Sequence, residues 1–335
     1  MAGIKEIAKI TGVSLATVSR VFNDSPLVSP KTREKVLKAA KDIDYRPNMM
    51  AAALRSGKSK IIGVIVPEVN NSFFSDIING IEQVVSDSGF NIIISQTHEQ
   101  QERENTALNS FLELNVDGVL MSISKETKDH SHIKKIMDSK TPIVFFDRRP
   151  TLKITHAVTL DNHLGAYIAT EHLINMGCTN LLHIAGNANV GIFEERKRGF
   201  MDAVQKHNIP SQVHYLSDFK SNTKEDLKNL KSIFDQHPNI DGVFAYGDEM
   251  AMQLLNLLGT LKIDVPGKVK LIGFGNANFS ALTQPSLSSI DQESSLMGEL
   301  SANLLLQNLK GVTRPTTRVL SPKLVQREST QNYDQ

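Results

Sequence analysis

The chain has 335 residues, 40% of them hydrophobic, enough for two or three folding units with a core each; its single cysteine, Cys178, excludes an internal disulfide and is expected to fill a core. No run approaches the roughly 18 consecutive apolar residues of a membrane span, and the amino terminus mixes charged with apolar residues instead of a signal-peptide pattern, so the expected location is the cytoplasm, without membrane contact. Residues 1–60 hold 12 Lys and Arg against 5 Asp and Glu, the remainder 25 against 31, so a head of net +7 precedes a body of net −6 and points to a polyanionic partner.

In the head, Ile4, Ile7, Ala8 and Thr11 recur at the spacing of an amphipathic helix, and Gly12 supplies a residue able to end it in the left-handed conformation. Ser14 stands at an N-cap. From Leu15 a second helix turns Val18, Val21 and Phe22 to one side and Leu15, Ala16, Ser19 and Arg20 largely to the other. Ser29-Pro30 opens a third helix, from about Lys31 to Asp42, with Val36, Leu37, Ala40 and Ile43 inward. Two short helices around a tight turn make a helix-turn-helix. Small residues at the start of the second helix permit close approach to a duplex, and Arg20 carries a planar fork that suits guanine, so this helix reads as a recognition helix. A solubilising bundle with Lys5, Lys9, Arg20, Lys31, Arg33, Lys35 and Lys38 outside would explain the charge but not that helix. Arg46-Pro47-Asn48 then breaks the pattern. The following MMAAALRSG makes about two turns, fewer than the ~12 residues an isolated helix needs, so it must borrow stability.

Beyond Lys60 come short apolar runs, IIGVIV, FNIIIS, GVLMSI and PIVFFD, with helices expected around Ile77 to Asp87 and Arg103 to Leu114; a second series follows in LLHIAG, GVFAYG and KLIGFG. Such alternation predicts βαβ units, parallel sheets and an α/β body of two lobes. Ligands of open α/β sheets bind beyond the carboxyl ends of strands. There the sequence places Asn70-Asn71-Ser72-Phe73-Phe74, Asp147-Arg148-Arg149, Asp248 and Asn276. Carboxylates, arginine, amides and rings suit a polyol, whose hydroxyls need donors and acceptors while its ring faces stack. One of Phe73 and Phe74 either meets the ligand or packs in the core, and Arg148 and Arg149 either meet the ligand or form ion pairs at the lobe junction.

Nothing looks catalytic. GFGNAN at residues 273–278 lacks the third glycine of a dinucleotide loop, and neither HExxH nor G-x-S-x-G occurs. His130 and His132, in the charged KETKDHSH, are expected to be solvated, and the terminal STQNYDQ to fray. No catalytic residue, metal or cofactor is expected, and no enzyme.

The segments IKEIAKITGVSLATVSRVFN, VSPKTREKVLKAAKDIDYRPN and AAALRSGKSKIIGVIVPEVNNSFF resemble the LacI/GalR family of bacterial transcription regulators, and the likeness runs on through LDNHLGAYIATEHLI, EERKRGF, YGDEMA and GFGNANFSALTQPSLSSIDQ. The resemblance implies an N-terminal three-helix helix-turn-helix head over residues 1–46, a hinge helix over 47–60, and over 61–335 a two-lobed, periplasmic-binding-protein-like body for effector binding and dimerisation. It implies that Leu15 and Ala16 read bases with Arg20 in the major groove, and that Ser14, Thr17, Ser19, Asn23, Tyr45 and Asn48 belong to the DNA face, holding phosphates or orienting the head. Leu54 would wedge into the minor groove. In the body it implies that Phe73, Arg196 and Asp248 face the effector, with Asp147, Arg148, Phe219 and Asn276 beside them. Departures are Ala52 for a frequent arginine, Ala53 for a small polar residue, Gly247 for an asparagine, Gly275 for the first of two aspartates and Asp291 for an arginine. The first two put a phosphate contact in doubt but not the wedge; the last three leave room for an effector other than a simple neutral sugar.

The expected protein is a homodimeric repressor of a near-palindromic double-stranded operator, its affinity set allosterically by a small molecule, a sugar or sugar derivative. Whether the effector induces or corepresses stays open. A solute-binding protein of the periplasmic type would share the body, but the basic head argues against it. The tail shows no heptad repeat, which favours a dimer over a tetramer.

Overall fold

The structure, a computed structural model, describes residues 3–22, 25–45, 58–152, 155–188, 190–216, 224–311 and 314–331, apart from the side chains of residues 224–227. The chain divides into two compact units, Met1–Ser59 and Lys60–Gln335. The first holds α1 (Ile4–Thr11), α2 (Leu15–Phe22) and α3 (Pro30–Asp42). Gly12, at φ 65°, ends α1, and the Thr17 and Thr32 amides donate to the Ser14 and Ser29 hydroxyls at 3.1 and 3.2 Å, capping α2 and α3. Ile7, Val18, Val21, Val36, Ala39 and Ala40 form its core, flanked by Ile4, Ala8, Phe22, Ile43 and Tyr45. Leu37, expected inward, is 46% exposed. Positions 36, 39, 40 and 43 already make one helical stripe, and residue 37 stands a hundred degrees from its neighbour. Arg33, expected to be solvated, folds back instead, donating to the Val21 and Ser25 carbonyls at 3.3 and 2.8 Å and so satisfying backbone acceptors at the end of α2.

The second unit begins with β1 (Ile61–Val66), α4 (Ser72–Asp87), β2 (Asn91–Gln96), α5 (Gln101–Glu113), β3 (Gly118–Met121), α6 (Ser131–Asp138), β4 (Ile143–Phe146) and β5 (His156–Leu160). It continues with α7 (Asn162–Asn175), β6 (Leu181–Ala185), α8 (Gly191–His207), β7 (Ser211–Tyr215), α9 (Lys224–Gln236), β8 (Gly242–Ala245), α10 (Asp248–Thr260), β9 (Lys270–Gly275) and β10 (Ser288–Asp291). After these come α11 (Ser294–Leu309), β11 (Thr317–Leu320) and β12 (Lys323–Val325). The sheets repeat one topology, β2-β1-β3-β4-β5-β11 and β7-β6-β8-β9-β10-β12. All pairs are parallel except β10 with β12. Strands β1, β3, β4, β6, β8 and β9 coincide within two residues with the apolar runs, because helices cover both faces of these central strands. SQVHY, SSID and TRVL show no such run, and β7, β10, β11 and β12 were not legible in advance; neither was HAVTL, although β5 is largely buried.

The chain passes between lobes three times: at Asp161 between β5 and α7, at Gln292-Glu293 between β10 and α11, and at Ser321-Pro322 between β11 and β12. Thus α11 and β11 belong to the first lobe although they follow all of the second but β12 in sequence. The helix pairs α4/α11 and α7/α8 cross in close contact: an added Cβ would collide with the Ser295 carbonyl oxygen at Gly80, with that of Ile77 at Gly298, and with that of His163 at Gly199. One apolar cluster, from Ile62 and Ile77 to Phe244 and Phe274, runs across both lobes.

Three expectations need correction or gain detail here. His132 is buried, its Nε2 lying 2.9 Å from Glu104 Oε2, and Glu104 also accepts from Thr127 Oγ1 at 2.7 Å and from the Ser124 amide, pinning the loop after β3. The STQNYDQ segment begins anchored: Ser329 and Thr330 are fully buried, Ser329 Oγ accepting from the Ser288 amide at 2.8 Å and Thr330 Oγ1 meeting His172 Nε2 at 2.8 Å. Polar composition suggested solvent for both segments, but it was matched by buried partners distant in sequence. Cys178 is buried as expected, and burial pushes its thiol up to about 12, leaving it protonated.

His183 on β6 is fully buried and stacks on Phe244 with ring centroids 4.6 Å apart; its Nδ1 lies 3.0 Å from the Phe244 carbonyl oxygen, and Nε2 has no hydrogen-bond partner among the described residues. Burial pushes its pKa down to about 4. Between pH 6.5 and 4 the unfolded chain binds a proton that the folded chain refuses, so stability should fall with acid by up to about 1.4 kcal/mol per pH unit. Urea titrations across that window are expected to show a shallower slope for His183→Leu than for the wild type; equal slopes would remove His183 from the acid response.

Candidate functional site

Two surfaces concentrate the expected residues. On the head, Val18 and Val21 anchor α2, leaving Leu15, Ala16 and Arg20 exposed on its outer side. Ser14 serves as the cap, its hydroxyl also 2.9 Å from Thr17 Oγ1, so both side chains organise the helix start while remaining at the surface. Ser19 is half-buried, and Tyr45 packs its ring 5.3 Å from Phe22, which fixes the end of the head against α2. A helix presenting an apolar and a small side chain at its start, with a guanidinium further along, has a surface that fits into a groove. Asn23, Asn48 and Leu54, the other residues expected at this face, lie outside the described residues, as does Phe219 of the body.

In the second unit, a cleft between the lobes is lined from the first lobe by Asn71, Phe73, Phe74, Asp147 and Arg148. From the second lobe come Phe193, Arg196, Tyr246, Gly247, Asp248, Glu249 and Phe274. The geometry follows from the strand ends. Asn71 caps α4 by accepting the Phe73 amide at 3.0 Å, which sets Phe73 and Phe74 in the first helical turn, not in a loop. Phe74 is core and Phe73 is half-buried, its ring meeting that of Phe74 edge-on at 5.1 Å.

Arg196 lies on α8, only 4% exposed. It donates to Asn162 Oδ1 at 2.9 Å, the Tyr246 carbonyl at 2.7 Å and Gln292 Oε1 at 3.0 Å, and its guanidinium stacks 3.7 Å from the Phe274 ring centroid. All three acceptors are neutral. Desolvation pushes this arginine down to about 10, opposed by the charge of Asp147 across the cleft, so it stays cationic at neutral pH. Asp147 is buried with a left-handed φ of 58°, and desolvation raises its carboxyl pKa while Arg148 lowers it. Non-glycine residues held in that region are strained and cluster at functional sites.

Asp248 lines the cleft, but both its oxygens are engaged within its own lobe: Oδ2 accepts from the Ala277 amide at 2.7 Å and Ser280 Oγ at 2.9 Å, and Oδ1 from Ser289 Oγ at 2.6 Å. Gly273 leaves the room, since an added Cβ there would meet Asp248 Oδ1. Arg148 lines the cleft and pairs within its own lobe, with Nη1 2.8 and 2.9 Å from the oxygens of Glu99. Asn276 is not brought to the cleft lining. Its amide nitrogen donates to Asp291 Oδ2 at 3.0 Å and its Oδ1 accepts from Arg327 at 2.6 Å, so it braces the second crossover against the segment after β12.

Several participants were missed by sequence reasoning. Phe274 and Tyr246 lay inside the quoted strand runs GFG and AYG, where an aromatic at a strand end is the only available signal. Asn162 opens α7 and Gln292 lies on the second crossover, places that no local pattern reveals. Across the mouth of the cleft, Asn71 Nδ2 donates to Glu249 Oε1 at 3.2 Å, a direct hydrogen bond between lobes. Among the described residues no cluster of metal-ligating side chains occurs, and no helix is long and apolar enough to cross a membrane.

Residues 3–48 match the family described as bacterial regulatory proteins, lacI family, and residues 170–330 a periplasmic binding protein-like domain. The ribose operon repressor of Halalkalibacterium halodurans is 32% identical over 331 residues, 98% of this chain and 97% of that protein. Among solved structures, the transcriptional regulator CelR in complex with cellobiose superposes with a TM-score of 0.73 at 26% identity, over 98% of this chain and 100% of that one. The lac repressor dimer bound to operator and the anti-inducer ONPF gives a TM-score of 0.87 at 23% identity over 99% of each chain, a likeness of fold.

Asp248→Ala would strand three donors at a buried position, and a stability loss of about 3 kcal/mol or more is expected in urea titration. A loss below about 1 kcal/mol would mean that the network contributes little net stability.

Proposed function

The chain belongs to the lacI family of bacterial regulatory proteins, and on that premise we propose how it works as a DNA-binding repressor controlled by a small molecule. Two copies dock α2 of each head into the major groove of a near-palindromic operator, whose symmetry mirrors that of the dimer. Leu15 and Ala16 read base edges by apolar contact, Arg20 by its fork, and Ser14, Thr17, Ser19, Asn23, Tyr45 and Asn48 hold phosphates or orient the head. Leu54 wedges into the minor groove. The observation that carries this reading is the exposed Leu15, Ala16 and Arg20 on a helix whose other side is locked into the head core.

The cleft binds a hydroxylated effector. Phe73 offers a ring face from the first lobe, while Arg196 and Asp147 supply a cation and a carboxylate that face each other across the opening. A guanidinium has five N–H donors, more than its three lobe contacts use. The names of the ribose operon repressor and of the cellobiose complex fit such a ligand. Since a ligand shifts a two-state equilibrium only through contacts that differ between states, effector touching both lobes favours the arrangement in which Asn71 and Glu249 meet. The coupling to operator affinity is expected at ~1 to 3 kcal/mol. The protein acts in the cytoplasm and catalyses nothing.

Arg20→Ala is expected to weaken operator binding by ~1 to 3 kcal/mol and to relax preference at one base pair per half-site, read by fluorescence anisotropy over operator variants. An unchanged profile would take base reading away from Arg20. Operator affinity that stays constant while a ligand saturates the body, followed in the same assay, would sink the allosteric part.

A further inference from the structure

The interlobe cleft is two cavities in one. The first, between Phe73 and Phe274, has a volume of about 130 Å³, below the roughly 300–1,000 Å³ of ordinary small-molecule sites. The second, of about 820 Å³, shares Asp147, Arg148 and Ile192 with the first and continues between the loop after β4, strand β11 and the start of α8. Its walls differ in chemistry. Where the first is built of rings around the Arg196 guanidinium, with Arg148 and Asp147 on the shared wall, the second presents the hydroxyl-bearing side chains of Thr151 and Thr317, and of Thr127, whose hydroxyl donates to Glu104. Beyond the shared pair Asp147 and Arg148, its charged residues are Lys125, Arg149 and Arg198 against Asp161 and Glu195, a near balance that draws neither an anion nor a cation outright. Asp147, buried and held at φ 58°, stands in the wall common to both.

We propose that the effector has two units: one ring clamped beside Phe73, Phe274 and Arg196, and a second, neutral and polyhydroxylated, in the threonine-lined cavity, with Asp147 accepting a hydroxyl near the junction. A disaccharide or a glycoside with a hydroxylated aglycone has this chemistry. The inference rests on the reading of the cleft as a site for a hydroxylated effector and adds its size. A single sugar ring fills the first cavity only and leaves the second to water, losing the hydrogen bonds that its threonines and charged groups offer.

The test is calorimetric titration of the full-length protein with glucose, galactose and ribose against maltose, cellobiose and lactose, repeated on two variants that fill the second cavity from opposite walls. Gly191→Trp starts from a position where an added Cβ meets nothing within 4 Å, and Thr317→Trp from the exposed face of β11. At least one disaccharide is expected to bind about tenfold or more tighter than any of the monosaccharides, and both variants to lose that advantage while monosaccharide affinity moves less than about twofold. Monosaccharide binding retained by each variant shows that its body is folded, and either variant alone carries the test if the other fails to fold. Equal affinity for one-ring and two-ring sugars, or disaccharide binding indifferent to both tryptophans, overturns the two-unit ligand and leaves the effector reading standing. Binding of no saccharide of either size overturns both.

Discussion

Neither lobe of the body is one continuous stretch of chain. The first sheet ends in β11 and its α4 packs on α11, yet both partners follow every element of the second lobe but β12, which completes the second sheet only after them, and α7 leaves β5 after a single residue to pack on α8. Three crossovers of one or two residues therefore tie the lobes along one side of the cleft. Links that short allow little translation or twist and leave opening and closing as the soft motion. The glycines at the helix crossings serve the same end, because α4 and α11, or α7 and α8, approach too closely for a side chain to intervene.

That arrangement explains how charge is managed in the cleft. Arg196 is held by dipoles from α7, from the end of β8 and from the second crossover, a rigid cradle belonging to one lobe. The carboxylate that acts on it most strongly, Asp147, is carried by the other lobe. Both groups would suffer desolvation alone, so closure brings together a buried cation and a buried carboxylate whose mutual attraction depends on the distance between lobes. A ligand that donates to one and accepts from the other joins the same interaction. Asp248 and Asn276, by contrast, are absorbed into networks internal to the second lobe, with the segment after β9 and with the crossovers, and keep that lobe's wall in shape.

The head was the most legible part. Gly12, Ser14 and Ser29-Pro30 act through contacts within three or four residues, so their roles as stop and caps could be read directly, and α1 to α3 lie where the pattern put them. Arg33 was misjudged because its partners, the Val21 and Ser25 carbonyls, depend on how α3 lies against α2. In the body, strands buried on both faces announced themselves as apolar runs, whereas β7, β10, β11 and β12 are short and polar and gain their place only by pairing. His132 and Ser329 show the same limit from the other side: polar residues read as solvated became buried once Glu104 and Leu271 were brought to them.

The sequence by itself determined the local grammar: capped helices, buried parallel strands, a basic head ahead of a mildly acidic body, and the strand ends at which a ligand would be met. Only the tertiary structure decided which of those strand-end residues face the cleft and which turn away. Phe73, Asp147 and Arg196 converge on it from separate lobes, while Asn276 is claimed by Asp291 and Arg327. The reason is that helix caps and hydrophobic periodicity act over a few residues along the chain, whereas the cleft brings together residues as far apart as Phe73 and Arg196, for which no local pattern exists.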